Sequence, residues 1–488
     1  MIKMKLEFDF PHRSLFVNLF DEDIYAVGGY VRDLIRGVPS EDVDLLITRH
    51  PLEKIIEKLE PHGRVDLVGK SFGIIKFTLE NKTYDIALPR KDIPKPAEVM
   101  GHKDFLIQAD PFLPIEKDLE RRDFRCNSMA LRLKDGQLID PFGGAEDTRA
   151  GIIRLTNPAA FPEDPLRVLR VARFASVLEF SVDPAIYEIC KGIDLSGLSV
   201  ERINEELFKI LLQSRLPSRG LEELFRLSAL KKLYPELYAL TLSLQDPYFH
   251  PEKDEHGHHT VWHHTKLTVD QGQRVAQIVS LPQGKRLALL LACLFHDVGK
   301  PQTADWEFKK GRMVLTNNCH DLVSQKITLD FLTRYRIFSW ENCDLREIVP
   351  LLVRWHHRLS ELWQNRQVVT KKAFNRLMAD VHGEIELLIY LDQADRAGRR
   401  ARLIEKFDRQ ALWFKKKLAE WNITRETIKP IIMGRDLIPL GVPPGPGMGK
   451  ILKKLYELQL EAAFETKEEG LRLAEELIQK ERRRKQKE

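Results

Sequence analysis

Hydrophobic and polar positions follow two different patterns along the chain, and the change falls near residue 155. Before it, short apolar runs lie between helical stretches, and we predict strands at 24–27, 43–48, 74–79 and 83–87. From about residue 162 onward, apolar residues recur with the 3.6-residue period of helices. The pattern predicts an α+β protein in which a mixed head precedes an almost entirely helical remainder.

Interruptions of the helical pattern divide the remainder. A polar segment that contains His and Pro at 243–259 predicts a linker, a second boundary lies near 400–410, and Pro and Gly break the helices again at 438–450. We therefore expect four domains, at 1–155, 156–242, 243–400 and 401–488. The last break resembles a phosphate-binding loop only superficially, because Pro444 and Ile451 stand where that loop requires Gly and Ser or Thr.

Composition narrows the class of protein. The 488 residues are 43% hydrophobic and 31% charged, which is typical of a soluble globular protein. No uncharged apolar run approaches the ~20 residues that cross a bilayer, and the first residues do not read as a signal peptide. We therefore expect a cytoplasmic protein without membrane contact.

Cysteine usage and charge say little about the function of the protein. The five cysteines have no paired spacing and predict reduced, mostly buried thiols, and Cys319 is expected to be a small core residue. The net charge is only +5, but Lys and Arg cluster at 121–125, 395–402, 413–417 and 480–488. Such clusters suit a polyanionic partner or a solvated helix face, and charge alone does not separate the two.

Two aspartates interrupt an apolar run near the amino terminus. Asp42 and Asp44 are two residues apart, so on a strand both side chains project to the same face. Adjacent carboxylates repel each other unless a cation bridges them, and oxygen ligands of this kind suit Mg²⁺. Asp85, on another predicted strand, would complete a site for two ions of the kind that catalyses nucleotidyl transfer.

A glycine pair precedes these carboxylates. Gly28 and Gly29 lie between a predicted strand and a helix, where the backbone can approach a phosphate and the helix N-terminus supplies N–H donors. Arg32 adds a cationic side chain for the same anion. An isolated Asp-x-Asp sequence is usually an exposed turn, and it is the combination with these three residues that favours nucleotidyl transfer.

The combination resembles the first motif of the class II tRNA nucleotidyltransferase and bacterial poly(A) polymerase family. The remaining motifs follow in the family's order and read DLERRDFRCNSMAL (118–131), DPFGG (140–144), FPEDPLRVLRVARFAS (161–176) and ERINEEL (201–207). The chain departs from the family at Arg125 and Cys126, where small or aliphatic residues are usual. The resemblance implies a head distantly similar to DNA polymerase beta, with Mg²⁺ held by Asp42 and Asp44.

The later motifs supply the remaining nucleotide contacts. The resemblance implies contacts to ribose and phosphates from Arg121, Arg122, Asp123 and Asn127. Asp164 and Arg167 are i and i+3 on one helix face and together offer acceptors and donors that imitate a base-pairing edge, with Arg170 one turn further. Asp164 can also cap the helix, and the two roles are compatible.

Histidines form a second group, because eleven of the fifteen fall between 250 and 382. Imidazole and carboxylate groups on successive helices suit one or two divalent ions that hold a hydrolytic water. The candidate ligands are His264, His296, Asp297, His320, His356 and Asp395. Spacing alone does not separate His263 from His264 or His356 from His357.

The ordered set resembles an HD-superfamily phosphohydrolase domain like that of a bacterial subgroup of CCA-adding enzymes. The family pattern selects His264 and His356, and it implies hydrolysis of 2′,3′-cyclic phosphates and other phosphoesters with a divalent metal of unknown identity. Lys300 is expected to contact a phosphate. The alternative is a degenerate, purely structural domain.

The leading interpretation is template-independent addition and repair of the 3′-terminal CCA of tRNA from CTP and ATP, together with HD phosphohydrolysis. The tail is expected to hold tRNA, and residues 88–105 are expected to form a flexible loop that supports the switch from C to A. Poly(A) polymerase or a partial CC- or A-adding enzyme is the closest alternative. A phosphohydrolase with an inactive head and a non-catalytic RNA-binding protein are the others. The sequence does not give the oligomeric state.

Overall fold

The computed structural model describes residues 4–68, 74–93, 106–309, 311–400, 404–426 and 428–485. They divide into two compact units. Unit 1 comprises Met1–Ser214 and Arg219–Tyr234, and unit 2 comprises Arg215–Ser218 and Pro235–Glu488. The predicted α+β class is confirmed, whereas the division into four domains stays a prediction. Among the described residues, no helix is both long and apolar enough to cross a membrane.

Unit 1 contains eleven strands in the described part of the chain. They are β1 (Ile24–Val27), β2 (Asp44–Ile47), β3 (Arg64–Val68), β4 (Ile74–Leu79), β5 (Lys82–Ala87), β6 (Arg90–Ile93), β7 (Leu106–Ala109), β8 (Ala130–Arg132), β9 (Leu138–Ile139), β10 (Ile152–Ile153) and β11 (Ser181–Val182). The four predicted strands correspond to β1, β2, β4 and β5, with ends that agree to within one residue.

Seven of these strands form one sheet in the order β3-β4-β5-β2-β1-β8-β9. Neighbours in this sheet are antiparallel except β2 and β5, which run parallel. Both faces are covered by apolar side chains. Phe16, Phe77 and Leu131 belong to the larger core on one face, and Leu46 and Leu119 to the smaller core on the other. The central strands are therefore held from both sides, which fixes the backbone that carries the aspartates.

Along the chain, the first helices of unit 1 alternate with its strands, and its last part is mainly helical. They are α1 (Arg13–Phe20), α2 (Gly29–Arg36), α3 (Leu52–Leu59), α4 (Ile115–Glu120), α5 (Gly144–Ala150), α6 (Leu166–Val177), α7 (Pro184–Lys191), α8 (Val200–Gln213), α9 (Pro217–Arg226) and α10 (Ala229–Leu233). The third motif forms the start of α5, where Asp140 accepts N–H bonds from Gly144 and Ala145 at 2.7 and 2.9 Å. A Cβ at Gly144 would overlap the carbonyl oxygen of Arg125, which explains the glycine.

Unit 2 is mostly helical, as predicted. Its helices are α11 (Pro235–Thr241), α12 (Val261–Ile278), α13 (Gln283–Phe295), α14 (Lys300–Thr303), α15 (His320–Arg334), α16 (Leu345–Trp355), α17 (Arg358–Gln364), α18 (Lys371–Asp380), α19 (Ile385–Gly398), α20 (Arg409–Glu420), α21 (Gly434–Leu437), α22 (Pro446–Leu460) and α23 (Lys467–Lys485). Helix α13 is buried along nearly its whole length and forms the centre of this unit. Leu437, Leu455 and Ala474 belong to a separate apolar core of the last three helices.

Two hairpins interrupt the helices of unit 2. They are formed by β12 (Ala304–Lys309) with β13 (Arg312–Asn317) and by β14 (Ser339–Trp340) with β15 (Cys343–Asp344). The prediction of an almost entirely helical remainder was therefore wrong at these segments. Residues 304–309 alternate apolar and polar residues, which is the period of a strand, and this signal was available in the sequence.

Two smaller predictions need correction. The segment 243–259 lacks regular elements but is not a free linker, because Gln245, His250 and Glu252 are buried in unit 2. Cys319 is exposed rather than part of the core, while the other four cysteines are buried and free as expected. Most of the predicted loop at 88–105 lies outside the described residues.

Candidate functional site

The first motif forms the turn from β1 into α2. Gly28 has a φ of 68°, which favours glycine, and its carbonyl oxygen accepts the N–H of Arg32 at 3.3 Å. A Cβ at Gly28 would lie 3.1 Å from Nη1 of Arg122 and 3.8 Å from Oδ2 of Asp44. The glycine therefore lets the backbone run close to both a guanidinium and a carboxylate, at the place where the sequence predicts a triphosphate.

The three head carboxylates come together on adjacent strands. Asp44 pairs in register with Asp85 across the parallel strands β2 and β5. Asp42 precedes β2, and the buried Val43 between the two exposed aspartates turns both side chains away from the core. Lys76 on β4 lies 2.9 Å from Oδ1 of Asp85. The sequence missed this lysine, although its alternation with the apolar residues of β4 places it on the exposed face.

Electrostatics around Asp44 favour a cation. Partial burial and then the charge of Asp42 raise the pKa of Asp44, and Asp85 adds to the effect, while Arg122 and Lys76 oppose it. A carboxylate that its neighbours destabilise gains from a bound divalent ion, whose charge reverses this effect. Oxygen ligands from Asp42 and Asp44 match the preference of Mg²⁺, so the residues fit that ion.

Arg32 does not point freely towards an anion. It is 8% exposed, and its guanidinium donates to Oδ1 of Asn127 at 2.8 Å and to both carboxylate oxygens of Asp33 at 3.0 and 2.8 Å. In this conformation Arg32 ties the first motif to the second and orders Asn127. To contact a phosphate, the guanidinium of Arg32 has to share these hydrogen bonds or break them. The cationic group nearest the Gly28 turn is instead Arg122.

The second motif is organised around a carboxylate that sequence reasoning missed. Asp118 is fully buried and accepts from Nε and Nη2 of Arg121 at 2.9 and 2.7 Å, and Arg122 lies 3.4 Å away. Burial alone would raise the pKa of Asp118, but the two arginines hold it below its usual range. A charge three and four residues before an Arg pair is the i,i+3 and i,i+4 signal that could have identified it.

Asp123 connects the second motif to the fourth. Its Oδ2 accepts from Nε of Arg170 at 2.7 Å, and the charge of Arg170 outweighs burial and keeps the pKa of Asp123 low. Arg173 pairs with Glu206 at 2.6 Å and lies over the ring of Phe174 at 4.0 Å. These residues therefore hold one another, which makes Asp123 and Arg170 a structural pair in this conformation.

Asp164 has a different partner from the one that helix spacing predicts. Both its carboxylate oxygens lie 3.1 Å from Nη2 of Arg202 on α8, and Oδ1 also accepts the N–H of Leu166 at 3.2 Å. The N-cap residue of α6 is Pro165, so Asp164 does not cap the helix and only binds the N–H of its first residue. Arg167 turns away and donates to the carbonyl oxygens of Ala160 and Arg121 at 2.9 and 2.7 Å. The exposed acceptor–donor pair is Asp164 with Arg202, which belongs to the fifth motif.

Unit 2 gathers all the predicted ligands into one His–Asp cluster. Its members are His264 on α12, His296 and Asp297 after α13, His320 on α15, His356 and His357 after α16, and Asp395 on α19. All are buried except His357, which is half-buried. Asp297 belongs to two groups of possible ligand atoms, one with His320, His356 and His357 and one with His264 and His296.

Backbone carbonyls fix the tautomers of three histidines. Nδ1 of His296, His320 and His356 lies 2.9, 2.6 and 2.6 Å from the carbonyl oxygens of Cys293, Asn317 and Val353, each three residues earlier. A carbonyl oxygen only accepts, so each Nδ1 carries a proton, and Nε2 is the ring atom that remains to bind a cation. Nε2 of His356 is buried and has no hydrogen-bond partner among the described residues. The three Nε2 atoms lie 3.2–3.8 Å from the carboxylate of Asp297, an arrangement that fits a divalent cation.

Asp297 is the centre of the cluster. Its Oδ2 lies 3.2 Å from Nε2 of His296 and 2.6 Å from Nζ of Lys300, and its Oδ1 lies 3.2 Å from Nε2 of His320. Lys300 also donates to Gln245 at 3.2 Å and lies 3.4 Å from His250. Protein groups therefore hold the ammonium group, and Lys300 also lines the cavity that His320 and His357 border.

His264 is held between two carboxylates. Its Nε2 lies 2.9 Å from Oδ1 of Asp395 and its Nδ1 lies 2.9 Å from Oε1 of Glu252. Asp395 is also bound by Arg399 through both oxygens at 3.1 and 3.0 Å. Burial would lower the pKa of His264, but Asp395 and Glu252 raise it.

The structure also places the two adjacent pairs that spacing leaves open. His263 lies outside the cluster, whereas His264 is fully buried inside it. Both His356 and His357 reach the cluster, and Nε2 of His357 lies 3.0 Å from Nε2 of His320. Sequence reasoning therefore missed His357 as a member. It also missed His250 and Glu252, because a polar Pro-containing segment reads as a linker whatever its histidines contact.

Comparisons with known proteins agree with this arrangement. Residues 24–154 match the family described as the poly A polymerase head domain, residues 181–240 the probable RNA and SrmB-binding site of polymerase A, and residues 261–399 the HD domain. A multifunctional CCA protein of Nitrosomonas eutropha is 32% identical over 349 residues, which cover 70% of this chain and 75% of that protein. The chain belongs to the multifunctional CCA protein family.

Further relatives extend over more of the chain. A multifunctional CCA protein of Neisseria meningitidis is 31% identical over 399 residues, 80% of this chain and 86% of that protein. Among solved structures, the Bacillus stearothermophilus CCA-adding enzyme in complex with CTP has a TM-score of 0.62 at 21% identity and covers 98% of this chain and 100% of its own. A Thermotoga maritima CCA-adding enzyme complexed with tRNA has a TM-score of 0.55 at 21% identity, with 97% and 98% covered. These two structures show that the fold is that of the family.

Proposed function

We propose that this protein adds and repairs the 3′-terminal CCA of tRNA from CTP and ATP, and that unit 2 is a metal-dependent phosphohydrolase. The observation that carries the first part is family membership over most of the chain, combined with Asp44 and Asp85 in register beside the Gly28 turn. The second part rests on the His–Asp cluster, in which the Nε2 atoms of His296, His320 and His356 surround Asp297. A tRNA-processing role is consistent with the expected cytoplasmic location.

In the head, the 3′-hydroxyl of tRNA attacks the α-phosphate of the bound nucleotide, and pyrophosphate leaves. Asp42 and Asp44 would hold Mg²⁺, with Asp85 beside them. When bound, Mg²⁺ neutralises charge on the phosphates and lowers the pKa of the attacking hydroxyl. The turn at Gly28 lets the triphosphate approach the backbone, and Arg122 supplies the nearby positive charge. Asp118 orients Arg121 and Arg122 for contact with the phosphates and ribose.

Selection of the base is assigned to the fourth and fifth motifs. Asp164 offers acceptors and Arg202 offers donors on one exposed surface, which suits the edge of cytosine or adenine. Arg167 supports this surface by fixing the backbone at Ala160 and Arg121. Arg170 contributes through Asp123, because that ion pair holds the second motif against α6.

In unit 2, we propose that His264, His296, Asp297 and Asp395 form one half of a ligand set, and that His320, His356 and His357 form the other half with the shared Asp297. A divalent ion held by these residues would supply an activated water for hydrolysis of a phosphoester. Lys300 and Arg399 hold the carboxylates of Asp297 and Asp395 in place. The donor set of imidazole and carboxylate suits several transition metals, so the identity of the metal is left to measurement.

The decisive experiment supplies tRNA transcripts that end before CCA, after C, or after CC, with CTP and ATP singly and together. The proposal expects two C residues from CTP and one A from ATP, after which addition stops. Products that end at CC with both nucleotides present contradict full CCA addition. A separate assay with a 2′,3′-cyclic nucleotide and added divalent metals tests the phosphohydrolase.

The alternative functions give different products in the same assay. Poly(A) polymerase is the second candidate, because the head matches a family named for that activity. It would extend long A tracts on RNAs that are unrelated to tRNA. A phosphohydrolase with an inactive head would incorporate neither nucleotide and would still hydrolyse the cyclic phosphate.

A further inference from the structure

Unit 2 contains a cavity of about 1090 Å³ next to the His–Asp cluster. His320 and His357 line it on the side of the cluster, and Tyr248, Phe249 and Arg312 line another part of its wall. Ligand pockets usually measure about 300–1,000 Å³, whereas a phosphate group is much smaller. The cavity therefore has room for a substantial part of a substrate in addition to the phosphoester.

Tyr248 and Arg312 form a fixed aromatic–guanidinium pair in this wall. The Cζ atom of Arg312 lies 5.0 Å from the ring centroid of Tyr248. Asp246, itself 5% exposed, contacts Nη1 and Nη2 of Arg312 at 3.2 and 3.3 Å and also accepts the N–H of Tyr248 at 2.9 Å. One buried carboxylate thus positions both members of the pair.

Burial does not account for the two aromatic residues at this place. Tyr248 is 75% exposed and Phe249 is 53% exposed, although both lie between the buried Asp246 and His250. Their rings meet at 87° with centroids 5.1 Å apart, so they cover little of each other's faces. Exposed aromatic surface on the wall of a cavity is available to stack against a ligand.

The chemistry of the pair points to a nucleobase. Aromatic side chains stack on the face of any base, and an adjacent guanidinium adds a cation–π contact and hydrogen-bond donors for base oxygens or phosphates. A substrate that consists of a phosphoester alone has no group that uses Tyr248. The pair and the cluster line the same cavity, so one ligand of nucleotide size is able to contact both.

We propose that Tyr248 and Arg312 form a nucleobase-binding subsite, so that unit 2 recognises a nucleotide phosphoester by its base as well as by its phosphate. The proposal rests on the phosphohydrolase function proposed above. It assigns a substrate-binding role to the segment Gln245–Glu252, whose buried residues also contact His264 and Lys300.

The test compares two monoesters of secondary alcohols, adenosine 2′-monophosphate and glycerol 2-phosphate, which differ in the presence of a base. Tyr248→Ala is expected to lower kcat/KM for the adenosine ester about tenfold, mainly through KM, and to leave hydrolysis of glycerol 2-phosphate within about twofold. Tyr248→Trp, which keeps the stacking surface, is expected to retain the preference. Arg312→Ala is also expected to lower kcat/KM for the adenosine ester.

Trp306→Ala is the matched control, because Trp306 is a 62% exposed aromatic residue on β12 that does not line the cavity. It should leave both substrates unchanged. Equal losses of kcat/KM for the two substrates in Tyr248→Ala would mean that Tyr248 has a structural role, and they would overturn the subsite. No loss for either substrate would also overturn it. If the unaltered protein hydrolyses a 2′,3′-cyclic nucleotide but neither monoester with any divalent metal, the subsite is overturned and the phosphohydrolase function stands. If it hydrolyses none of the three, both are overturned.

Discussion

The head and the His–Asp cluster both hold acidic groups close together, but they do so in opposite ways. Asp42, Asp44 and Asp85 are exposed residues on or next to the inner strands β2 and β5, and Lys76 and Arg122 offset part of their charge. The cluster is buried, and each carboxylate there has a dedicated cationic partner, Lys300 for Asp297 and Arg399 for Asp395.

This difference indicates different degrees of preorganisation. The head carboxylates are exposed to solvent, as a site that takes up a new nucleotide for each addition requires. The cluster instead fixes three imidazole rings through backbone carbonyls before any ligand binds. We therefore expect head variants to affect the reaction and not the fold, and cluster variants to affect metal retention as well.

The largest expected effect comes from the head. Asp44→Ala removes a ligand at the point where charge develops on the phosphates, and CCA addition should fall at least about 10²–10³-fold. Phosphoester hydrolysis by unit 2 should be unchanged. Single-turnover incorporation of labelled CTP measures the first quantity.

Asp66→Ala is the control for Asp44→Ala, since Asp66 is a carboxylate on β3 of the same sheet that pairs with Arg64. It should keep full incorporation. A comparable loss in both variants would show that the sheet, and not the ligand, is sensitive to the loss of a carboxylate.

The second effect sharpens the comparison within the cluster. His264→Ala should lower phosphohydrolase activity by about 10²-fold, because it removes an imidazole that contacts Asp395. It should also reduce the metal content of the purified protein, whereas CCA addition should persist. Metal analysis by mass spectrometry and the two activity assays measure these outcomes.

His263→Ala is the matched control for His264→Ala, because the neighbouring ring lies outside the cluster. Normal metal content and hydrolysis are expected. If the two variants behave alike, the choice of His264 as the functional histidine is wrong.

A third, smaller effect tests preorganisation directly. Glu252→Ala removes the carboxylate 2.9 Å from Nδ1 of His264, and loss of such an orienting group typically costs 10–100-fold in metal affinity. Titration with metal followed by calorimetry measures the affinity, and Glu255→Ala, an exposed carboxylate in the same segment, is the control. Unchanged affinity in Glu252→Ala would mean that burial alone orients His264.

Sequence reasoning succeeded where one local period or one motif carries the information. The four strands of the head and the positions of Asp44 and Asp85 followed from alternation along each strand. The register that places Asp44 opposite Asp85 could not be predicted in this way, because the pairing of β2 with β5 depends on the chain between them. The HD pattern likewise identified the ligands on separate helices without showing that Asp297 is shared.

The failures have a common physical cause, which is that partners distant in sequence decide the role of a polar side chain. Glu252 lies in a segment without periodicity, and only its contact with His264 gives it a role. Arg32 reads as an anion ligand from its position in a helix, yet Asn127, 95 residues later, holds its guanidinium. For the same reason, helix spacing assigns Arg167 as the partner of Asp164, whereas the observed partner is Arg202 on another helix.

The smallest expected effect concerns Arg202. Its ion pair with Asp164 is exposed, so Arg202→Ala should change the free energy of unfolding by less than about 1 kcal/mol. If the pair reads the base, discrimination of CTP and ATP against UTP should fall roughly threefold to tenfold, which corresponds to about 0.7–1.4 kcal/mol. Competition between nucleotides on tRNA transcripts measures this ratio, and Arg219→Ala, which breaks an exposed pair with Glu179, should not alter it. A variant that unfolds more readily but selects nucleotides normally would make Arg202 a structural residue, and base selection would then return to Arg167.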